Sequence, residues 1–266
     1  MYYDKLPIII LSEMASSKSN AINGYIATYI LGHLDEIKED SIRELANRVN
    51  VSASSISRFC RDIGLKDYNE LKALLNDTTL KFDICSYADT VPERKDDYVA
   101  AVQRCLEQVR TSIDMAKVRA LCMDIRRYEQ VAVFGVLKAE GVAMNLQTDL
   151  AMQGKHVITK LPYSEQIDYL DNADERSLVI IFSYTGIYYQ YGLPKSAAKP
   201  KSKRPKVYFI TSDPRAKEKG NCDEMIWFAS NQDQASHPWQ LQMVGSLIAQ
   251  RYAHLQREEP ATPPER

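Results

Sequence analysis

The sequence predicts an all-α helix-turn-helix domain at the amino terminus, followed by an α/β domain with a mostly parallel sheet flanked by helices. In the first part, apolar residues recur at i, i+3, i+4 and i+7 from Ile42 to Val49, which is typical of an amphipathic helix. In the second part, residues 131–134, 178–182 and 207–210 are short apolar runs separated by helical segments. Strands buried on both faces of a parallel sheet have this composition.

Residues 41–66 predict two short helices joined by a tight turn. Ser41 is expected to cap the first helix, and Ser52 can accept a backbone N–H bond and so begin the second. Gly64 suits the carboxy-terminal cap of the second helix. The inward face of that helix is predicted to consist of Ile56, Phe59, Cys60 and Ile63. Residues 6–14 and an apolar stripe of Ile22, Tyr25, Ile26, Tyr29 and Ile30 predict two further helices upstream.

The outward face of the second helix combines small hydroxyl side chains with arginines. Small residues allow close approach to base edges, and arginine bonds guanine or phosphate bidentately. Five basic residues face two acidic ones between positions 41 and 66, whereas the whole chain has a net charge of −1. Any two amphipathic helices with a polar turn share this pattern, so a purely structural role stays open. The predicted DNA-binding residues are Ser41, Arg43, Ser52, Ser54, Ser55, Ser57, Arg58, Arg61 and Lys66.

Several motifs in this region resemble the amino-terminal domain of RpiR-type bacterial transcriptional regulators. They are SIRELA at 41–46, Val51-Ser52, SISRFCR at 55–61, GLKDY at 64–68 and Leu71-Lys72, and the resemblance covers most of residues 1–76. In that family a helix-turn-helix domain precedes a sugar isomerase (SIS) domain. The resemblance implies a transcriptional regulator that binds double-stranded DNA as a homodimer or higher homo-oligomer. A sugar phosphate or another small anionic metabolite would control it.

Three loops follow the predicted strands, at residues 135–140, 183–188 and 211–213. Ligands of open α/β sheets bind beyond the carboxyl ends of the strands, so these loops are candidate ligand loops. The region 110–255 resembles the SIS domain, whose first loop reads G-x-G-x-S. Here Leu137 and Ala139 replace the second glycine and the serine, whereas residues 183–186 fit the family's S-x-[ST]-G. The predicted effector-binding residues are Gly135, Lys138, Ser183, Thr185, Gly186 and Thr211.

The predicted domain order is a helix-turn-helix domain at 1–76, a connecting segment at 77–105, an SIS-like domain at 106–256 and a disordered tail at 257–266. Residues 98–128 have helical periodicity that is interrupted near 111–115. Residues 157–158 are a further short strand candidate. The basic segment 194–206 contains three prolines and is expected to form an irregular, exposed loop, either a solubilising surface or a patch for anions.

Composition and residue spacing leave little support for other classes of protein. Among the 266 residues no apolar run approaches the roughly 20 needed to cross a bilayer, and the start of the chain lacks the features of a signal peptide, so we expect a cytoplasmic protein without a membrane partner. The five cysteines are scattered and the four histidines stand in no metal-ligand spacing. We therefore expect no metal, no cofactor and no catalytic residue. His237 could face the ligand cleft or cap the last helix.

Two alternative functions stay open at this point. One is an SIS-type sugar-phosphate isomerase or binding enzyme with an accessory helical domain. The other is a regulator whose second domain serves only dimerisation.

Overall fold

The structure is a computed structural model that describes residues 5–17, 21–78, 89–218, 222–233 and 237–258. These residues form two compact units. The amino-terminal unit contains residues 5–78 with 160–168, and the carboxy-terminal unit contains residues 89–159 with 169–258. No helix in the described ranges is long and apolar enough to cross a membrane. The predicted tail at 257–266 lies almost wholly outside the described residues.

The amino-terminal unit is helical, as predicted. Its helices are α1 (Lys5–Ser16), α2 (Ile22–Gly32), α3 (Leu34–Ile37), α4 (Ile42–Val49), α5 (Ala53–Asp62) and α6 (Tyr68–Asp77). The core draws on every helix, for example Ile8, Ile26, Leu45, Phe59 and Leu71, all fully buried. The predicted stripe on α2 is wrong in part. Ile26 and Ile30 are buried, but Ile22 is 48% exposed and Tyr25 is 57% exposed.

Capping interactions determine where α4 and α5 begin and end. Ser41 caps α4, and Glu44 returns a bond to the Ser41 N–H at 2.7 Å, which completes a capping box. Ser52 caps α5 by accepting the Ser55 N–H at 3.1 Å. Gly64 follows α5 with φ +85°, and the next N–H bonds back to the Cys60 carbonyl at 2.8 Å. This is the glycine-dependent helix end that the sequence predicted.

Two helices lead into the sheet of the carboxy-terminal unit. The first, α7 (Val91–Ser112), begins with a capping box at Thr90, and the second is α8 (Met115–Arg127). Ile113 has an extended backbone and Asp114 caps α8 by accepting two backbone N–H bonds. The predicted interruption near residues 111–115 is therefore confirmed, and the break follows from a new N-cap within the helical pattern.

The sheet has four parallel strands in the order β1-β2-β3-β4. They are β1 (Gln130–Gly135), β2 (Ser177–Phe182), β3 (Lys206–Thr211) and β4 (Glu224–Trp227). The remaining helices are α9 (Lys138–Met152), α10 (Tyr163–Asn172) and α11 (His237–Glu258). The sequence predicted the first three strands but not β4, which has only four residues and one buried side chain. The predicted strand start at 157–158 forms only an isolated bridge from Ile158 to Ala132.

The two faces of the sheet are covered differently. On one face Val133, Ile180 and Ile210 belong to a buried cluster that includes residues of α8, α9 and α11. On the other face Tyr169 of α10 packs edge-on against Phe134 at 5.4 Å. Tyr188 and Tyr189 pack on Phe209 on that same face, with ring centroids 6.3 and 5.5 Å away.

The basic segment 194–206 is more ordered than expected. It contains two short 3₁₀ turns, and Ser196 within it is buried. Arg204 makes a bidentate ion pair with Asp223, with both N–O distances 2.8 Å. Lys206 pairs with Asp124 at 2.6 Å. The expectation of a wholly exposed loop is therefore wrong for its last residues, although Lys195, Lys199, Lys201 and Lys203 are exposed.

Candidate functional site

The amino-terminal unit presents one polar face of α5 to solvent. Ser54, Arg58 and Arg61 are spaced at i, i+4 and i+7 and are exposed, opposite the buried Ile56 and Phe59. Ser55 and Ser57 are half-buried, so they are less accessible to solvent than Ser54. Arg43 at the start of α4 and Lys66 after α5 are also exposed. We call these residues the reader face: Ser54, Ser55, Ser57, Arg58 and Arg61 of α5, with Arg43 of α4 and Lys66 after α5.

The cations of the reader face are not neutralised within the protein. Across the described residues, Arg43, Arg58, Arg61 and Lys66 make no ion pair. Arg48 differs, because its Nε lies 2.7 Å from the carboxylate of Asp40. Four uncompensated cations around one helix favour a polyanion such as the phosphate backbone.

The serines at the start of α5 share one hydrogen-bond network. The Ser52 Oγ lies 2.7 Å from the Ser54 Oγ and 2.9 Å from the Ser55 Oγ. Ser52 therefore serves mainly as the N-cap of α5. The exposed Ser54 can exchange its hydrogen bond with Ser52 for one to a ligand. The amino end of α5 carries neutral hydroxyls, and its partial positive charge remains available to an anion.

In the carboxy-terminal unit, the loop after β1 is tightly closed. A Cβ on Gly135 would lie 2.7 Å from the Ala139 carbonyl carbon and oxygen, so only glycine fits there. Leu137 has φ +53° and ψ −119°, a conformation that L residues rarely adopt. Leucine thus stands at the second glycine position of the motif but keeps a backbone geometry suited to glycine.

A half-buried carboxylate, that of Glu140, lies at the same loop, at the third residue of α9. The Glu140 carboxylate accepts a hydrogen bond from the Leu137 N–H, and its Oε1 is buried without a partner among the described residues. Burial raises the pKa of Glu140 to about 7, although the Leu137 bond lowers it. The sequence interpretation missed Glu140. The available signal was a glutamate three residues after the expected helix start, where it returns a bond to the N-cap.

The loops after β2 and β3 are held together through one carbonyl. The Tyr184 carbonyl accepts bonds from the Ser212 N–H at 2.9 Å, the Ser212 hydroxyl at 2.8 Å and the Thr211 hydroxyl at 3.2 Å. Gly186 has φ +70°, and a Cβ there would lie 2.9 Å from Asp213, so the predicted need for glycine has a clear cause. Ser183 Oγ accepts the Tyr188 N–H at 3.2 Å.

These contacts determine which predicted effector residues could meet a ligand. Ser183 and Thr211 are buried, and their hydroxyls make bonds within the protein. Thr185 is half-buried. Lys138 is exposed and lines a groove between α7, α9 and α11. The structure thus brings together the loop residues after β2 and β3, but the hydroxyls of Ser183 and Thr211 already have internal partners.

His237, at the start of α11, is buried and lies beside Tyr184, with ring centroids 4.6 Å apart. The Tyr184 hydroxyl donates to Gln240 Oε1 at 3.0 Å and also contacts the Ser230 hydroxyl. Burial raises the pKa of Tyr184 to about 12. His237 therefore packs against the second loop from α11. No group of three or more His, Cys, Asp or Glu side chains in the described part of the chain could hold a metal ion.

Comparisons with known proteins agree with this architecture. Residues 10–81 match the family model described as the helix-turn-helix domain of the rpiR family. An uncharacterised HTH-type transcriptional regulator of Caldanaerobacter subterraneus is 35% identical over 107 residues, which cover 40% of this chain and 37% of that protein. An uncharacterised HTH-type transcriptional regulator from the aarA 3′ region of Providencia stuartii is 24% identical over 171 residues, 60% of this chain and 59% of that protein. The matched regions therefore span between about two fifths and three fifths of these relatives' lengths.

A solved structure shares the overall fold. The Vibrio vulnificus NanR protein, complexed with ManNAc-6P, superposes with a TM-score of 0.52 and 18% identity over 96% of this chain and 92% of that chain. At this identity the likeness concerns the fold. Residues 10–81 thus form a helix-turn-helix domain of the rpiR family, and the chain shares the fold of the NanR structure.

Proposed function

We propose that this protein is a transcriptional regulator that binds duplex DNA through the reader face and whose carboxy-terminal unit responds to a small metabolite. The observation that carries the proposal is the set of exposed cations Arg58, Arg61 and Lys66, which form no ion pair with any residue that the structure describes, beside a helix whose opposite face is buried. A helix of this kind places side chains against base edges while neighbouring cations hold phosphates.

The assignment of roles follows from position on the reader face. Ser54, Ser55 and Ser57 lie in the first half of α5 and Arg58 follows directly after them, and these four residues are proposed to face the bases. Arg43, Arg61 and Lys66 lie around them and are proposed to hold phosphates. Ser52 caps α5 and is proposed to present the amino end of that helix to the DNA backbone, and Ser41 caps α4 beside it.

The test is a selection of bound fragments from genomic DNA, followed by affinity measurements on the enriched site. The double variant Arg58→Ala with Arg61→Ala is expected to bind at least 100-fold more weakly, since each charge-assisted contact contributes about 1.5–3 kcal/mol. Arg119→Ala, which removes an exposed arginine of α8, is the matched control and should bind normally. Equal affinities for the wild type and the double variant would refute the assignment.

We further propose that the protein acts as a homodimer or higher homo-oligomer on inverted half-sites. Support comes from α7, whose first nine residues are all exposed and include Val91, 73% exposed, and Val99, 46% exposed. Exposed apolar side chains on one long helix suit a contact between copies. Sedimentation equilibrium of the wild type and of the double variant Val91→Glu with Val99→Glu tests this oligomer. A wild type that remains monomeric at the concentrations at which it binds DNA would contradict the proposal.

The effector is proposed to be a sugar phosphate or another small anion that binds at the loops after β1, β2 and β3, and this proposal is supported by the NanR structure of similar fold, which is a complex with ManNAc-6P. The closed first loop and the Glu140 carboxylate oppose tight binding there. We expect weak affinity for ordinary sugar phosphates by calorimetry, lost in Ser183→Ala with Thr185→Ala and increased in Leu137→Gly with Ala139→Ser. Tight binding of a sugar phosphate that is unchanged in Ser183→Ala with Thr185→Ala would exclude this site.

A second candidate function, a sugar-phosphate isomerase, is favoured by one observation. Glu140 lies at the loop after β1 and its pKa of about 7 is that of an effective general base near neutral pH. Proton exchange at carbon 2 of a sugar phosphate in deuterated water, followed by NMR, tests this function. Exchange that is lost in Glu140→Gln would establish the isomerase, and no exchange with the wild type would exclude it.

A further inference from the structure

The basic segment 194–206 concentrates positive charge on the carboxy-terminal unit. Residues 193–206 contain six basic side chains and no acidic one, whereas the whole chain has 34 lysines and arginines against 35 acidic residues. Four of the six are exposed, and we call them the lysine patch: Lys195, Lys199, Lys201 and Lys203. The patch belongs to the carboxy-terminal unit and the reader face to the amino-terminal unit, so the two are separate surfaces.

Ion pairs within the protein leave part of the lysine patch uncompensated. The Asp223 carboxylate already holds Arg204 through two N–O contacts of 2.8 Å. The Lys201 Nζ lies 3.4 Å from the same carboxylate, but the Lys201 side chain is 80% exposed. Lys195 and Lys203 form no ion pair with any residue that the structure describes. At least two full positive charges of the patch therefore face water.

Hydrogen bonds to α10 fix the backbone that carries the patch. The Ser196 N–H donates to Asp171 Oδ1 at 3.0 Å, and the Lys199 Nζ donates to the Asp171 carbonyl, also at 3.0 Å. Ser196 is buried, and Pro194 and Pro200 cap the two 3₁₀ turns with restricted φ. Because the backbone is already ordered, a partner of the lysines would not have to offset the entropy of ordering it.

Two cavities adjoin the patch, and neither suits a small anion. One has a volume of about 40 Å³ and mainly apolar walls, which is too small for a metabolite. The other, of about 260 Å³, is lined by Lys201 together with the acidic side chains of Glu175, Asp223 and Glu224. The four lysines instead follow one another along an exposed strip of the chain. This arrangement suits an extended polyanion whose charges repeat along its length.

We propose that the lysine patch is a second contact with the phosphate backbone of duplex DNA. The proposal rests on the proposed function, because DNA held by the reader face raises the local concentration of phosphates around the protein. Lys195 and Lys203 supply the uncompensated charges, and Lys199 and Lys201 add their remaining N–H donors. Ammonium groups bind phosphates as point charges and read no bases, so the patch adds affinity without sequence preference.

The test compares two double variants that remove the same charge from the carboxy-terminal unit. Lys195→Gln with Lys203→Gln removes the two cations of the patch that form no ion pair, and Lys117→Gln with Arg119→Gln removes two exposed cations of α8. The affinity of the full chain is measured by fluorescence anisotropy at several salt concentrations. The two DNA ligands are the site enriched from genomic DNA and an unrelated duplex of equal length.

The patch variant should bind both duplexes about tenfold more weakly at about 0.15 M salt. Its slope of log affinity against log salt should fall by about two, since each lost phosphate contact removes about 0.9 from the slope. The α8 variant should keep the slope of the wild type. Lys195→Arg with Lys203→Arg should also keep that slope, because the guanidinium group preserves the charge. The substituted side chains are exposed, so urea denaturation should show equal stability in all variants.

Several results would overturn the proposal. One is an unchanged slope in the patch variant, and another is an equal fall in both glutamine variants, which would attribute the effect to net charge. Binding of polyglutamate that is lost in the patch variant, with an unchanged DNA slope, would assign the patch to an acidic protein. Failure of the proposed function is distinguishable, because Arg58→Ala with Arg61→Ala would then bind the genomic site as tightly as the wild type does. A wild type that binds neither duplex would refute both proposals.

Discussion

The helix amino ends of α5 and α9 use opposite chemistry, and the contrast separates an open site from an occupied one. At α5 the cap is the neutral Ser52 hydroxyl, and the neighbouring cations face solvent. At α9 no side chain of the N-cap residue makes a bond, and the Glu140 carboxylate takes that place. Because a carboxylate neutralises the positive end of a helix, an anion is favoured at α5 and disfavoured at α9.

The two regions also differ in backbone strain. Both left-handed residues that flank α5, Asn50 and Gly64, are of types that tolerate positive φ. In the loop before α9 the residue with positive φ is Leu137. The backbone that flanks α5 is therefore relaxed, whereas the loop after β1 has a backbone geometry that favours glycine at the position of Leu137.

The largest effect is expected from Glu140→Gln. The pKa of Glu140 is raised in the folded state, so the folded protein binds more protons than the unfolded chain and stability falls as pH rises from about 4.5 to about 7. The glutamine variant should be more stable than the wild type above about pH 7, by roughly 1–3 kcal/mol after allowance for screening by water, and equally stable near pH 4. Urea denaturation across this pH range measures the difference.

Glu44→Gln is the matched control, because Glu44 forms the capping box of α4. Bonds from Ser41 lower the pKa of Glu44, so its contribution is present above the unfolded pKa and is lost as pH falls through the folded pKa. The two variants should therefore show pH dependences of opposite sign. If the two variants changed the pH dependence of the unfolding free energy in the same direction, the contrast between Glu44 in α4 and Glu140 in α9 would be contradicted.

Arg58→Ala is expected to weaken binding to the preferred DNA site by about 1–3 kcal/mol and to relax the base preference at one position. The reason is that Arg58 follows directly after the serines of α5 that are proposed to contact bases. Affinities for a set of single-base variants of the site provide the measurement. An equal loss for all these sequences would instead assign Arg58 to the phosphates.

Leu137→Gly should stabilise the carboxy-terminal unit by about 1 kcal/mol. Relief of the positive φ outweighs the larger entropy of glycine in the unfolded chain. Asn50→Gly, at φ +56°, is the control and should change the unfolding free energy by much less, since asparagine tolerates this conformation. Thermal unfolding that shows Leu137→Gly to be destabilised would indicate that Leu137 packing matters more than its backbone.

The smallest effect is expected from Lys66→Ala. This exposed cation is proposed to hold a phosphate, so its removal should weaken all DNA sequences alike and reduce the slope of log affinity against log salt by about one. Anisotropy titrations at several salt concentrations determine the slope. An unchanged slope would place Lys66 outside the DNA contact.

Local sequence signals predicted the helix-turn-helix segment, α4 and α5, well. The bounds of α4 and α5, both N-caps and the glycine after α5 depend on interactions between residues at most five apart, and each is visible in the sequence. The exposed stripe of α2 was predicted less well, because only packing decides which of its apolar residues are covered. The same holds for β4, whose four residues carry too short a pattern to distinguish it from a loop.

By itself the sequence determined the class of the fold, the helix-turn-helix and the three main strands, because periodicity, caps and apolar runs act over short distances along the chain. Tertiary structure decided the state of the candidate sites. It alone buried one carboxylate oxygen of Glu140, closed Gly135 against Ala139, tied the loops after β2 and β3 through Tyr184, and brought Tyr98, Lys138 and Trp239 to one groove. The physical reason is that desolvation and ligand geometry depend on which distant side chains surround a group, and no local pattern encodes that.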